Sequence, residues 1–378
     1  MRLTKIISVC FLLMTLSQSF SQTSIRFMGN GVNAPDLDRI KIDIDDVSNN
    51  NPGPPVDIGA SDFTIEFWVK AEASNNTSPA ISCGVNIDWI YGNIIIDRDR
   101  FNQDRKYGIS IAGGVIVFGV SGDGSGDRTL CGTTNVLDNV WHHVAVQRRI
   151  SDGYLWVYID GSLETEGDGP NGDISYPDDG VPCNSCCDGG NCNNSDPYIV
   201  LGAEKHDAGA QFPSYNGHLE ELRFSNILRY TTNFSPASSP FTSDSSTMAL
   251  YHFEEGSGSV LNDASGGPSN GVINYGGSPV GPIWVNDSPF TDLSSPDIAG
   301  GENSFIVLPN PTRDDIQLLI DQGDYKLSIF DITGKLVHTT LVSENKTIKT
   351  DVLPAGLYFF KVRNILTGTL SVQKVIKL

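Results

Sequence analysis

The sequence predicts an all-β chain, with one large antiparallel β-sandwich followed by a second, small one. Three observations carry this. Short apolar segments of strand length recur from residue 24 to the end, and several alternate, as in Phe63, Ile65, Phe67 and Val69. Turns such as Asp123-Gly124, Asp152-Gly153 and Asp160-Gly161 punctuate them. No stretch carries the period of a long amphipathic helix. The 39 glycines and 20 prolines among 378 residues fit a turn-rich fold without reaching low complexity.

Residues 1–21 read as a secretory signal peptide. Arg2 and Lys5 precede the apolar run Ile6 to Leu16, and small residues near Ser21 offer a cleavage site. The run is too short to span a bilayer, and no later stretch is long and apolar enough to do so.

Residues 22–290 form the body. Its predicted strands are, in order, Ser24–Met28, Phe63–Val69, Asn93–Ile96, Tyr107–Ile111, Val115–Val120, Trp141–Arg148, Leu155–Ile159, Tyr198–Leu201, Gly217–Phe224 and Met248–Phe253. Many short strands with Gly/Asp turns over such a length read as one sandwich. Trp68, Trp141 and Trp156 are expected between its sheets. His142 and His143 take opposite faces of a strand and are expected to be structural. A Ser/Pro/Gly/Asp segment, residues 291–304, reads as a linker, and residues 305–378 as the second sandwich.

The net charge is −20. Residues 22–304 hold 38 acidic and 14 basic side chains, whereas residues 305–378 hold 7 and 9. An acidic body excludes a nucleic-acid partner, which needs clustered Lys and Arg, and favours oxygen-ligand cation sites. Cys10 lies in the signal, leaving six cysteines for an exported chain. Cys83 is expected to bridge Cys131. Cys183, Cys186, Cys187 and Cys192 crowd into one loop, where they form either two bridges, paired in one of three ways, or a zinc site.

The body resembles the laminin-G-like, concanavalin A-like jelly rolls. The motifs are Phe63-Thr64-Ile65-Glu66-Phe67-Trp68-Val69, Trp141-His142-His143-Val144-Ala145-Val146, Leu155-Trp156-Val157-Tyr158-Ile159-Asp160-Gly161 and Gly217-His218-Leu219-Glu220-Glu221-Leu222-Arg223-Phe224. The resemblance implies a concanavalin A-like antiparallel jelly roll. Within that group, Leu201-Gly202-Ala203-Glu204-Lys205-His206-Asp207 is similar to the calcium segment of pentraxins. It implies Glu204 and Asp207 as calcium ligands, with Asp104 as a third. Glu66 and Ala145 stand where pentraxins carry a cysteine pair, so the pentraxin likeness stops at the sandwich.

Calcium takes about six to eight oxygens. Besides those three residues, Asp97, Asp99, Asp123, Asp127 and Asp263 are oxygen donors in suitable loops. Asp97 and Asp99 could instead pair with Arg98, Arg100 or Arg105, and Asp123 and Asp127 could belong to a plain hairpin turn. Glycoside hydrolysis needs two carboxylates about 5 Å or about 6.5–9.5 Å apart on one face. Neither Glu-x-Asp-x-Glu nor Glu-x-Asp-x-x-Glu occurs, and strand alternation puts Glu220 and Glu221 on opposite faces.

Residues 305–378 resemble the type A sorting domain of the type IX secretion system. The matching residues are Leu308-Pro309-Asn310-Pro311, the Asp331-Ile332-Thr333-Gly334 turn, Leu353-Pro354-Ala355-Gly356 and the ending around Lys374. That implies export through the secretion machinery, removal of the tail, and release or attachment at the cell surface. The expected function is a secreted or surface-displayed, non-catalytic recognition module for glycan or an extracellular protein, with calcium assisting. A glycoside hydrolase or lyase with a non-standard carboxylate pair is the alternative, and a structural adhesin segment is the third reading.

Overall fold

The computed structural model describes residues 23–29, 38–45, 50–100, 103–178, 197–206, 208–290, 305–313, 315–320, 322–351, 353–368 and 370–378. The expected signal peptide, the linker, the four-cysteine loop at 183–192 and Asp207 lie outside the described residues. The chain divides into two compact units, Met1–Phe290 and Thr291–Leu378.

The body opens with β1 (Ser24–Met28), β2 (Arg39–Asp43), β3 (Phe63–Ala71) and β4 (Asn93–Arg98). Then come β5 (Lys106–Ala112), β6 (Val115–Ser121), β7 (Asp127–Cys131), β8 (His142–Arg148), β9 (Leu155–Ile159) and β10 (Ser162–Gly167). β11 (Tyr198–Leu201), β12 (Asn216–Ser225), β13 (Thr247–Tyr251), β14 (Val260–Leu261), β15 (Gly271–Asn274) and β16 (Ile283–Val285) follow. The first sheet has the order β10-β9-β8-β3-β12-β1-β16, with β13 also paired to β12. The second has the order β14-β15-β2-β11-β4-β5-β6-β7.

The core lies between the sheets. Phe63, Ile65, Phe67 and Val69 of β3 are fully buried, as their alternation predicts. Across from them, Tyr107 of β5 and Phe118 of β6 bring their ring centroids to 5.7 and 6.4 Å from that of Phe63. Trp68, Trp141 and Trp156 do not fill this space, contrary to expectation. Trp68 falls between Phe67 and Val69, so the pleat turns it outward, where it packs edge-on against His143 and Phe290. Trp141 sits edge-on to His218, and Trp156 lies beside Tyr154 under the guanidinium of Arg149. Both are only partly buried.

Trp89 is the one fully buried tryptophan among the described residues, and it lies on the outer face of the second sheet. It belongs to a single 3₁₀ turn, Asp88–Tyr91. Gly108 of β5 and Gly119 of β6 are register partners, and a Cβ on either would run into the Trp89 ring. The expected Cys83–Cys131 disulfide is present, with Cα atoms 5.9 Å apart. It ties this covering segment to β7. For a sequence separation of 48, chain entropy gives it roughly 4 kcal/mol.

The second unit has seven strands among its described residues. They are β17 (Phe305–Leu308), β18 (Ile316–Ile320), β19 (Tyr325–Asp331), β20 (Leu336–Val342), β21 (Lys346–Ile348), β22 (Gly356–Asn364) and β23 (Leu370–Lys377). They form a three-stranded sheet, β17-β18-β21, and a four-stranded one, β20-β19-β22-β23. Val307, Leu318, Leu327 and Phe360 are fully buried in its core. Asn310, between the exposed Pro309 and Pro311, donates to the Lys374 carbonyl (2.6 Å) and accepts from the Ile376 N–H (2.9 Å). The motif residues at both ends of this unit therefore meet at β23. Gly334 takes a φ of +80° in the β19–β20 turn, and Gly356 opens β22.

Candidate metal centre and neighbouring charged clusters

β11 alternates between core residues Ile199 and Leu201 and the outward Val200. Asp97 of β4 is the register partner of Val200, so it also faces outward. Gly202 follows β11 with a φ of +91°, and a Cβ there would meet the Phe27 ring. That glycine lets the chain turn back over the sheet. The turn lays Glu204, Lys205 and His206 beside Asp97 and Asp99.

Hydrogen bonds fix the arrangement. Asp97 accepts from the Asp99 N–H (2.7 Å) and from the Lys205 N–H (2.8 Å). The Lys205 ammonium donates to the Asp99 carbonyl (2.9 Å), and Glu204 accepts from the His206 N–H (2.6 Å). His206 Nδ1 lies 3.3 Å from Asp99 Oδ2 and 3.4 Å from Glu204 Oε1. One ligand atom each from Asp99, Glu204 and His206 falls within 4.8 Å of the others.

The electrostatics separate the carboxylates. Burial, then the charges of Glu204 and Asp99, push the Asp97 carboxyl up to about 8, against the pull of Lys205 and His206. Burial also works to raise Asp99, but hydrogen bonds from His206 and the charge of Lys106, 3.0 Å away, hold it below its ordinary value. Negative charge therefore concentrates on the side of Asp99 that His206 faces.

Sequence reasoning named Asp97, Asp99 and Glu204 separately, and the structure joins them. His206 was missed, although it lies within the pentraxin-like segment. The arginines are engaged elsewhere: Arg98 donates to the Ile174 carbonyl, and Arg105 pairs with Asp173 at 3.0 Å. Asp104 is exposed and accepts from the Gly124 N–H (2.9 Å) of the β6–β7 hairpin. Asp127 accepts from Ser121 in that hairpin (2.5 Å), closed by the Gly122 N–H on the Gly126 carbonyl. Asp263 is a turn acceptor for the N–H groups of Leu250 and Ser265.

A second acidic cluster lies on the outer face of the first sheet. β12 bulges between Glu220 and Arg223, and Glu221 has a φ of +53°. Leu219 and Leu222 both reach the core, so the two glutamates between them share the outer side. Strand alternation alone predicted the opposite. Glu221 bonds His252 (2.6 Å) and the Phe241 N–H (2.7 Å), while Glu220 accepts from Ser288 (2.8 Å). Burial, reinforced by the charges of Glu221, Glu254 and Asp287, raises Glu220 to about 9, with the Ser288 hydrogen bond opposing.

A raised acid contributes stability that is complete below its unfolded value and is lost as pH rises through its folded one. Glu220→Gln, which cannot ionise, is therefore expected to gain on the wild type between pH 6 and pH 9. The gain should be on the order of a few kcal/mol. Unfolding midpoints at both pH values check this, and parallel curves would contradict it.

The nested sheets, the outward carboxylate cluster and the separate tail sandwich define a β-sandwich protein with a C-terminal appendage built as its own domain. Residues 45–183 match the family model of the concanavalin A-like lectin/glucanases superfamily, and residues 306–377 that of the secretion system C-terminal sorting domain. Residues 45–183 thus carry a laminin-G-like, concanavalin A-like segment and residues 306–377 a type IX secretion sorting domain, and the latter marks the chain for export to the cell surface or beyond. Among the described residues, no helix is long and apolar enough to cross a membrane.

No curated protein matches the chain. Among solved structures it is similar to a Bacteroides ovatus protein assigned to carbohydrate binding, at 16% identity over 72% of this chain, with a TM-score of 0.39. This chain spans 62% of that protein. It is also similar to the heptameric SAP-like pentraxin of Limulus polyphemus, at 14% identity over 67% of this chain and 96% of that one, TM-score 0.39. Domains LG4-5 of the mouse laminin α1 chain share 10% identity over 93% of this chain and 68% of that one, TM-score 0.35.

Proposed function

We propose that the exported body is a recognition module that binds glycan without cleaving it. A divalent cation held by Asp99, Glu204 and His206 orders the loop that makes contact. The observation that carries this reading is the convergence of those three ligand atoms on an outer sheet face. They lie in a jelly roll of a superfamily named for lectins and glucanases. The Glu220–Glu221 pair, which could have served hydrolysis, is buried at 1% and 0% exposure.

The donor chemistry points to a particular ion. Calcium, the ion implied by the pentraxin-like segment with Glu204 and Asp207, takes oxygens alone. Two carboxylate oxygens with one imidazole nitrogen suit zinc better. The ion would compete with protons for His206 Nδ1, which stands 3.3 and 3.4 Å from the two carboxylates, so affinity falls as pH drops.

Zinc at about 100 times its dissociation constant adds about 2.7 kcal/mol of stability. The expected outcome is a higher unfolding midpoint with zinc, reversed by EDTA and absent in Glu204→Gln, with a smaller effect of calcium. The same variant should lose zinc-dependent retention on immobilised polysaccharide. A midpoint unmoved by either ion would remove the metal centre from the reading.

A further inference from the structure

The first sheet carries a second polar feature, on the opposite side of the sandwich from the carboxylate cluster. Arg26 of β1, His218 of β12 and Lys70 of β3 are direct register partners across three adjacent strands. Their neighbours Ile25, Phe27, Val69 and Leu219 are core residues, so the three share the outer face. At the strand ends they line a cleft of about 240 Å³ together with Asn75, Asn139 and Asn216.

The charges in this cleft do not all find answers. Lys70 is paired with Asp287 at 2.7 Å, and Asp287 also accepts from Trp141 Nε1 (3.0 Å). His218 Nδ1 lies 3.3 Å from the Ser24 hydroxyl. Burial, then the charges of Arg26 and Lys70, push His218 down to about 4 against the pull of Asp287, so it is neutral at pH 7. Arg26 is different. Its Nε is buried without a hydrogen-bond partner among the described residues, and the carboxylate of Asp287 goes to Lys70 instead. Glu72, at the rim, is exposed and lies next to the Ser74 hydroxyl (3.4 Å).

Arg26 lines the cleft and forms no ion pair among the described residues, and a guanidinium open to a cleft calls for a planar, two-oxygen acceptor, the geometry it binds best. Asn75 and Asn139 supply amide donors and acceptors suited to hydroxyls, and Asn216, whose amide nitrogen donates to the Met28 carbonyl (2.5 Å), supplies an acceptor. The cleft is smaller than the ~300–1,000 Å³ of pockets for drug-sized ligands, and it suits a single sugar residue. We propose that this cleft binds the carboxylate of a uronic-acid residue through Arg26, with Asn75, Asn139 and Asn216 reading its hydroxyls. This rests on the reading that the body binds glycan.

The test is calorimetric titration of the full chain with trigalacturonate, its methyl ester and maltotriose, run once in EDTA, where the metal centre is silent, and once with zinc. Trigalacturonate should bind, with the methyl ester and maltotriose at least about tenfold weaker. Arg26→Ala should lose at least about tenfold toward trigalacturonate and leave maltotriose unchanged. No binding of trigalacturonate, equal binding of acid and ester, or an Arg26→Ala affinity within about twofold of the wild type would overturn the site. Should Arg26→Ala not fold, the acid–ester comparison on the wild type decides alone. A chain that binds other glycans with zinc but ignores trigalacturonate in both buffers defeats this site only, whereas one that binds no glycan in either buffer defeats both readings.

Discussion

Replacing Glu66 by alanine is expected to cost about 3–5 kcal/mol, the range for breaking a buried ion pair from one side. Glu66 is fully buried on the outer side of β3. Its carboxylate receives two bonds from Arg223 (2.8 and 2.6 Å) and one from the Tyr230 hydroxyl (2.5 Å). His143 Nε2 stands 3.4 Å away and Arg229 Nε 3.5 Å away. Alanine would leave Arg223 facing a void, while Arg229 keeps its pair with Asp244 (2.9 Å). It would also release the segment that covers this face, where Tyr230 and Phe234 stack at 3.5 Å.

Burial works to raise the Glu66 carboxyl, but hydrogen bonding from His143 and the charge of Arg223 hold it below its ordinary value. Its contribution is therefore present at neutral pH and is lost as pH falls through the lowered value. Urea titrations of the wild type and Glu66→Ala at pH 7 measure the cost. A difference under about 1 kcal/mol would show that the network contributes no more than an exposed pair. Glu66 is also the register partner of Ala145, the two positions where pentraxins carry a cysteine pair. Here a five-residue polar network holds that place.

Removing residues 305–378 is expected to abolish delivery beyond the outer membrane while leaving the body folded. The two units have separate cores, and the sorting domain lies wholly in the second. The truncated chain should unfold with an unchanged midpoint for the body and remain in the periplasm. Fractionation of cells expressing both forms reads this directly. Undiminished surface delivery of the truncated chain would show that the address lies elsewhere. Asn310, which ties the start of the tail to β23, marks how both ends of that domain contribute to one edge.

Period-two alternation in the sequence made the β-sandwich legible, and Ser24–Met28 and Leu155–Ile159 are strands with the bounds predicted for them. Glu204 at a strand end and the Cys83–Cys131 bridge were also within reach. The same alternation placed Trp68 outward, a consequence the expectation of a tryptophan core overlooked. What could not be read locally was strand order. Asp97 and Glu204 meet because β11 lies beside β4, a pairing across about a hundred residues that no local pattern encodes. The row of Arg26, His218 and Lys70 depends on non-local register in the same way. The bulge at Glu221 inserts one residue into β12 and so reverses the face assigned to it. Nothing in the Glu-Glu sequence announces that insertion.

The central claim is that the body binds polysaccharide through a metal-ordered loop and leaves it intact. The most direct test measures both properties in one sample: full chain with a panel of neutral polysaccharides, which the Arg26 cleft does not hold, with zinc or with EDTA, scored for bound protein and for released reducing ends. The account predicts zinc-dependent retention on at least one polysaccharide, loss of that retention in EDTA, and no release of reducing ends from any. Sustained release of reducing ends, or retention that EDTA leaves unchanged, would contradict it.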